Sequence, residues 1–234
     1  MKKIYVLIGN FGSGKTELAL NFAFNAAEHG RTELIDLDMI NTYFRLSERK
    51  KLIDAAEIRL VSPNYASTNV EAMSLPAEVS SAFHMDWDTV VFDVGGDGAG
   101  ATALGRFKRD FDTLHEGQLE VLNVINIRRP LSGTKDKIIA LIDSLERNSR
   151  LKITGLVNNT NLAHETSKDE LRDGYHILRE VSEHTGIPVA YTTGKSEFIE
   201  KFLKEGLDPK FIGKAVKIDT YMHRDWDTFV KKGI

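Results

Sequence analysis

The stretch GNFGSGKT at residues 9–16 decides how the rest of the chain is interpreted. It matches the pattern G-x-x-x-x-G-K-[ST] at every fixed position, and it follows the apolar run IYVLI at residues 4–8. Its glycines let backbone N–H groups converge on an anion, and the N-terminus of a following helix favours negative charge. Lys15 would place a charge on the β- and γ-phosphates of a nucleotide, and Thr16 would offer a hydroxyl to magnesium. The stretch therefore predicts a phosphate-binding loop between a strand and a helix.

Strand-like and helix-like segments alternate outward from this loop. Apolar runs typical of strands covered on both faces alternate with segments of helical periodicity, which predicts a parallel α/β sheet. We expect about seven strands flanked by helices, in the manner of a P-loop NTPase fold, and a single domain over residues 1–234. The predicted strands lie at 4–8, 33–38, 58–61, 88–93, 119–127, 152–157 and 188–191, and the predicted helices at 15–29, 77–83, 101–111, 134–147, 168–184, 196–203 and 225–232.

Acidic residues end two of the predicted strands. Asp93 ends the strand at 88–93, and Asp36 and Asp38 end the second strand. Ligands of open α/β sheets bind at the carboxyl ends of the strands, so we expect these acids near Lys15. Asp93 is the candidate magnesium acid, and Gly96 completes a D-x-x-G pattern whose glycine N–H can meet the γ-phosphate. For each acid the alternative is a carboxylate that only caps a turn.

The two acids of the second strand receive different roles. Asp36 and Asp38 are separated by one residue, so both point to the same face of an extended strand. Asp38 lies further out and is assigned to the attacking water, whereas Asp36 is assigned to support of the magnesium and its water shell.

An asparagine-rich run, NNTN at residues 158–161, follows the predicted strand at 152–157. An amide side chain carries both donors and an acceptor, so Asn158 can recognise the edge of a purine base. The alternative is a set of turn-forming asparagines. The run lacks the lysine and the final aspartate of an NKxD guanine signature, which favours ATP over GTP.

Together these residues resemble the MinD/ParA/Mrp-type P-loop ATPases (the CobQ/CobB/MinD/ParA nucleotide-binding domain), within the broader class that contains the signal-recognition and nitrogenase-iron-protein NTPases. The resemblance covers roughly residues 1–190. It implies ATP (or ADP) and Mg²⁺ as ligands, and a phosphate-loop strand that lies beside the strand of Asp93. It also implies that Asp38 positions water, that Asn158 contacts adenine, and that residues 36–41 form a switch region.

One feature of the family pattern is missing. Many members carry a second lysine early in the loop, where this chain has Asn10, Phe11 and Gly12. Fast hydrolysis in an ATP-bridged homodimer is therefore not implied, although a homodimer remains possible. Arg45 or Arg128 could supply the missing charge.

The predicted site can be stated residue by residue. Lys15 and Asp38 are the candidate catalytic residues. The candidate nucleotide-binding residues are Asn10, Phe11, Gly12, Ser13, Gly14, Lys15, Thr16, Glu17, Gly96 and Asn158, and the candidate magnesium residues are Thr16, Asp36, Asp38 and Asp93.

Composition excludes several kinds of site. The chain contains no cysteine, which excludes disulfides, iron–sulfur clusters and cysteine-held zinc. Its 31 basic and 34 acidic side chains give a formal net charge of −3, so composition does not favour nucleic acid as a partner. There is no apolar run of the ~18 residues that a membrane helix needs, and no signal-peptide pattern. We expect a cytoplasmic protein without stable membrane association.

Three functions fit these observations. The main hypothesis is an ATP-binding switch with slow Mg²⁺-dependent ATPase activity that acts on an unknown protein partner. A second is a kinase or ligase whose small acceptor lies near Arg45, Arg128 or residues 64–71. The third is a nucleotide-binding module that does not hydrolyse its ligand.

Overall fold

The computed structural model describes residues 1–38, 46–62, 77–96, 98–162 and 166–222. Within these ranges eight strands form one sheet in the order β3-β2-β4-β1-β5-β6-β7-β8, and every neighbouring pair is parallel. The predicted fold class is confirmed, with one strand more than expected. The strands are β1 (Lys3–Ile8), β2 (Thr32–Leu37), β3 (Arg59–Val61), β4 (Thr89–Val94), β5 (Leu119–Ile125), β6 (Gly155–Asn158), β7 (Val189–Gly194) and β8 (Lys214–Lys217).

Helices connect the strands. They are α1 (Lys15–Ala27), α2 (Lys50–Ala55), α3 (Ser81–His84), α4 (Gly98–Leu104), α5 (Lys108–Phe111), α6 (Lys135–Ser149), α7 (Lys168–Thr185) and α8 (Ser196–Leu203). The single helix predicted at 101–111 is instead two helices separated by a 3-10 turn at Gly105–Phe107. A Cβ at Gly105 would lie 2.9 Å from the carbonyl oxygen of Asn148, so the glycine lets this turn approach α6 closely. The helix predicted at 225–232 lies outside the described residues.

The alternation of side chains along the strands creates two apolar layers. Leu7, Leu34 and Val91 face a layer that includes α1 and α2, whereas Phe92 and Ile35 face a larger layer that includes α4, α6, α7 and α8. Asp93 has the parity of Val91 and lies in register with Asp36 of β2. Both acids therefore lie on the face of the sheet that carries α1.

The strand that leads into the phosphate-binding loop is central. β1 pairs with β4 on one side and with β5 on the other, so the strand of Asp93 is its neighbour, as the family resemblance implies. After β1 the chain continues to β2 and β3 on one side of β1, whereas after β4 it crosses to β5 on the other side. A crevice at such a reversal is where ligands bind in open α/β sheets.

A membrane span is not found among the helices of the described ranges, since none of them combines sufficient length with sufficient apolar character.

Candidate functional site

The loop between β1 and α1 is held in a conformation that requires glycine. Gly14 has a φ of 88° and is the N-cap residue of α1. A Cβ at this position would also lie 2.4 Å from the side-chain nitrogen of Asn159. Because glycine has no side chain to cap the helix, the first-turn N–H groups of α1 remain available to an anion.

Two later strands, β6 and β7, hold this loop in place through the side chain of Asn159. The Asn159 side chain, at the end of β6, donates from Nδ2 to the Ser13 carbonyl oxygen at 2.7 Å. Its Oδ1 accepts from the Thr193 hydroxyl of β7, also at 2.7 Å. Asn159 is buried, so this bridge to the loop is shielded from solvent. Sequence reasoning missed the role of Asn159, although the asparagine run itself is the signal that marks it.

Asn158, the predicted base-contacting residue, has its side chain turned toward α7. Its Nδ2 donates to the Leu171 carbonyl oxygen at 2.9 Å, and its Oδ1 accepts from the Thr160 N–H at 3.3 Å. The side chain is buried, and a Cβ at Gly174 of α7 would lie 2.3 Å from its Oδ1. Asn158 thus fastens α7 to the sheet in this structure, and its contact with a base stays a prediction.

The residues at the tip of the loop form a closed polar cradle. Lys15 is buried and its Nζ donates to the Asn10 carbonyl oxygen at 3.0 Å. The Asn10 side chain accepts from the Phe11 N–H at 2.8 Å, while the Phe11 ring is exposed. The Ser13 hydroxyl is fully buried and has no hydrogen-bond partner among the described residues. The loop therefore already holds a cation and a buried polar group at the place where phosphates are expected.

Asp93 is the most unusual residue of the site. It is 1% exposed, and its Oδ1 makes no hydrogen bond within the described part of the chain. Burial raises the pKa of Asp93 to about 7, against the opposing effects of the Lys15 charge and a hydrogen bond from the Thr16 hydroxyl. A buried carboxylate with an unsatisfied oxygen is costly, and such groups are found mainly where a cation or a catalytic role explains them.

The donor set at this point suits magnesium. Thr16 and Asp93 offer a hydroxyl and a carboxylate, both hard oxygen ligands. No group of three or more His, Cys, Asp or Glu side chains that could hold a metal occurs in the described ranges. Magnesium at nucleotide sites is usually held by one or two protein ligands together with phosphate oxygens and water, so these two residues fit it.

Asp36 lies on β2 in register with Asp93, and Asp38 lies just beyond the end of β2. The Asp36 Oδ1 accepts from the Asp38 N–H at 2.9 Å, so Asp36 shapes the chain where the strand ends. The charge of Asp38 also contributes to the raised pKa of Asp93, which places Asp38 near the site. The predicted metal and water roles of both acids stay predictions, and residues 39–41 of the predicted switch lie outside the described residues.

The glycine after β4 lies against the phosphate-binding loop. A Cβ at Gly96 would be 2.5 Å from the Phe11 backbone nitrogen and 2.6 Å from its Cα. Only glycine permits this approach of two backbones. The predicted D-x-x-G segment thus reaches the loop that would hold the phosphates.

Glu17, in the first turn of α1, binds the C-terminal part of the described chain. Its carboxylate accepts from the N–H groups of Tyr221 and Met222 at 2.5 and 3.1 Å. One turn later, Asn21 exchanges two hydrogen bonds with the Asp219 backbone, at 2.8 and 2.9 Å. The Glu17 carboxylate therefore anchors this segment beside the site, and its predicted nucleotide contact stays a prediction.

The two arginines after β5 differ sharply. Arg128 forms ion pairs with Asp173 at 2.6 Å and Glu170 at 3.6 Å on α7, so its charge is already compensated. Arg129 instead donates from Nε to the Gly12 carbonyl oxygen at 2.9 Å. Of the other residues predicted to supply charge or an acceptor pocket, Arg45 and residues 64–71 lie outside the described residues.

No protein-family model matches the chain, and no curated protein matches it in sequence. Solved structures share its fold. FtsY from Mycoplasma mycoides aligns with 82% of the chain at 17% identity and a TM-score of 0.53. Chloroplast FtsY from Physcomitrella patens aligns with 82% at 18% identity and a TM-score of 0.55. The signal recognition particle receptor FtsY from Elizabethkingia anophelis, in complex with GDP, aligns with 82% at 17% identity and a TM-score of 0.51.

The alignments cover 60%, 58% and 57% of those three chains, so this chain spans well under two thirds of their length. At these identities the similarity establishes a P-loop NTPase fold. It does not support the narrower assignment to the MinD/ParA/Mrp-type ATPases that the sequence suggested.

Proposed function

We propose that the chain binds a nucleoside triphosphate with Mg²⁺ and acts as a slow NTPase switch for a protein partner. The observation that carries this proposal is Asp93, buried with an unsatisfied oxygen beside Lys15 and Thr16. The free energy cost of such a carboxylate is offset when a cation binds next to it. The phosphate-binding loop is where a metal–nucleotide complex supplies that cation.

Each residue of the site has a defined task in this proposal. The N–H groups of the loop and of the first turn of α1 hold the phosphates, and Lys15 moves its charge from the Asn10 carbonyl to them. Thr16 and Asp93 hold the magnesium, which neutralises phosphate charge when it is bound. Gly96 brings its backbone to the terminal phosphate, so the loop after β4 senses whether that phosphate is present.

Asp38 is proposed to orient the attacking water. Replacement of Asp38 by alanine should lower steady-state phosphate release roughly 100-fold, in the range typical of a lost proton-transfer group. Nucleotide affinity should change little because the phosphates are held elsewhere. The matched control is alanine at Asp143, an exposed acid of α6. Unchanged phosphate release in the Asp38 variant would show that this assignment is wrong.

The base is proposed to be adenine, on the resemblance of the sequence and the absence of an NKxD signature. GTP is the competing ligand, because a structure of the same fold is a complex with GDP. Calorimetric titration with ATP and with GTP, each with and without magnesium, separates the two. We expect Mg²⁺-dependent binding with ATP tighter than GTP. Tighter GTP binding would reverse the base assignment, and binding of neither would refute the proposed function.

Oligomeric state should be measured in the same titrations. A switch without a second loop lysine is expected to stay in one oligomeric state with and without nucleotide, so that the signal passes to a different protein. Dimerisation only in the presence of the triphosphate would instead favour the homodimer that the sequence left possible.

A further inference from the structure

The turn that follows β5 is built around one buried side chain. The Asn126 Oδ1 accepts from the N–H groups of Arg128 and Asn161 at 3.0 and 3.4 Å, and its Nδ2 donates to the Asn161 carbonyl oxygen at 3.0 Å. The Asn126 carbonyl oxygen accepts from the Arg129 N–H at 3.1 Å and from the Ser132 hydroxyl at 2.7 Å. Asn126 and Ser132 are both buried. The backbone of Arg129 is therefore fixed relative to the sheet.

The Arg129 side chain reaches from this turn onto the phosphate-binding loop. Its Nε donates to the Gly12 carbonyl oxygen at 2.9 Å. A Cβ at Gly12 would lie 3.2 Å from the Arg129 Nε and 3.5 Å from its Cζ, so the guanidinium lies directly on the glycine. In the described part of the chain, the Nη groups of Arg129 form no hydrogen bond or ion pair, in contrast to those of Arg128. One donor thus fixes the guanidinium while the others remain available.

The charges at the site favour a second cation. Asp36 and Asp93 lie in register on neighbouring strands to one side of β1, with Asp38 close to Asp93. Lys15 is the only cation within the loop sequence. A triphosphate adds further negative charge, which one lysine and one magnesium ion do not balance. A guanidinium presents several N–H donors in one plane and is well suited to phosphate oxygens.

We infer that Arg129 is a second phosphate-binding cation, supplied by the same chain, that contacts the terminal phosphate of the bound nucleotide. This inference rests on the proposed function and names a residue that the loop motif does not include. Its rival is a structural role, in which Arg129 only stabilises the loop conformation through the Gly12 carbonyl. The two roles differ in one respect: a charge on the terminal phosphate favours a triphosphate over a diphosphate, whereas a structural clamp favours both equally.

The test is a pair of titrations on wild-type protein and three variants. Arg129→Ala removes the charge and the clamp, Arg129→Lys keeps a charge, and Arg128→Ala is the matched control on the neighbouring arginine. Each is titrated by calorimetry with Mg²⁺ and either the β,γ-imido analogue of ATP or ADP. The corresponding guanine pair is used if GTP is the tighter ligand. Thermal unfolding of each variant checks that it is folded.

We expect Arg129→Ala to weaken the triphosphate analogue about 10-fold, as for one charge-assisted hydrogen bond, and ADP by less than about 3-fold. Arg129→Lys should fall between wild type and alanine, and Arg128→Ala should leave the ratio of the two affinities unchanged. An equal loss for both nucleotides, or no loss, would overturn the inference while leaving the proposed function intact. Wild-type protein that binds neither compound would overturn the proposed function, and this inference with it.

Discussion

Replacement of Lys15 by alanine is expected to weaken triphosphate binding roughly 100-fold while the protein stays folded. The reason lies in the position of the side chain. Lys15 is buried at the start of α1, where its Nζ donates to the Asn10 carbonyl oxygen. Removal of a charge-assisted contact from such a desolvated site typically costs about 3 kcal/mol of binding free energy.

A second variant isolates the charge from the hydrogen bond. Lys15→Gln retains an N–H donor on a shorter side chain but carries no charge, so we expect it to bind nearly as weakly as the alanine variant. Lys201→Ala, at an exposed position of α8, is the matched control for loss of a lysine. Calorimetric titration gives the affinities, and urea unfolding shows whether each variant is folded. Wild-type affinity in Lys15→Gln would mean that the lysine charge does not hold the phosphates.

The fold could be predicted from the sequence because strands buried on both faces are read as continuous apolar runs. All seven predicted strands are present. The limits of β1, β2 and β4 lie within one residue of the predicted limits. β8 was missed because KAVK is short, and both of its lysines are exposed at the edge of the sheet. A strand of this kind is recognisable only once β7 is present to pair with it.

The site was predictable only where a motif fixes the spacing along the chain. The phosphate-binding loop and Asp93 follow from such patterns. Asn159 and Arg129 do not, because each acts through a contact with the loop from more than a hundred positions away. Two adjacent asparagines were also indistinguishable in sequence. In the structure Asn158 faces α7, whereas Asn159 faces the loop, since successive side chains point to opposite sides of a strand.

The buried carboxylate of Asp93 implies a conflict between stability and function. Its pKa is raised to about 7, so burial outweighs the favourable effects of Lys15 and Thr16 on the charged form. Below about pH 3 the carboxyl is largely protonated in both the folded protein and the unfolded chain, and there is almost no penalty. As the pH rises from about 3 to 7 the unfolded chain ionises well before the folded protein does, and folding becomes progressively less favourable.

Replacement of Asp93 by asparagine should therefore stabilise the nucleotide-free protein. We expect its free energy of unfolding to exceed that of wild type by about 2–4 kcal/mol at pH 8, and the gain to be about 2 kcal/mol smaller at pH 5. Urea unfolding at the two pH values measures this difference. Asp143→Asn, an exposed acid of α6, is the matched control and should show no such dependence on pH.

The same substitution should reverse the order of stability once ligand is added. A ligand that binds only the folded state stabilises it in proportion to the logarithm of its concentration over Kd. Wild type should gain stability with ATP and magnesium beyond its gain with ATP and EDTA. Asp93→Asn should show little such magnesium-dependent gain, because it lacks the carboxylate that holds the metal with Thr16. An asparagine variant that is less stable than wild type at pH 8, or that keeps the full magnesium effect, would contradict the role given to this carboxylate. Asp93 would thus lower the stability of the nucleotide-free protein, and metal binding at the same residue would restore that stability.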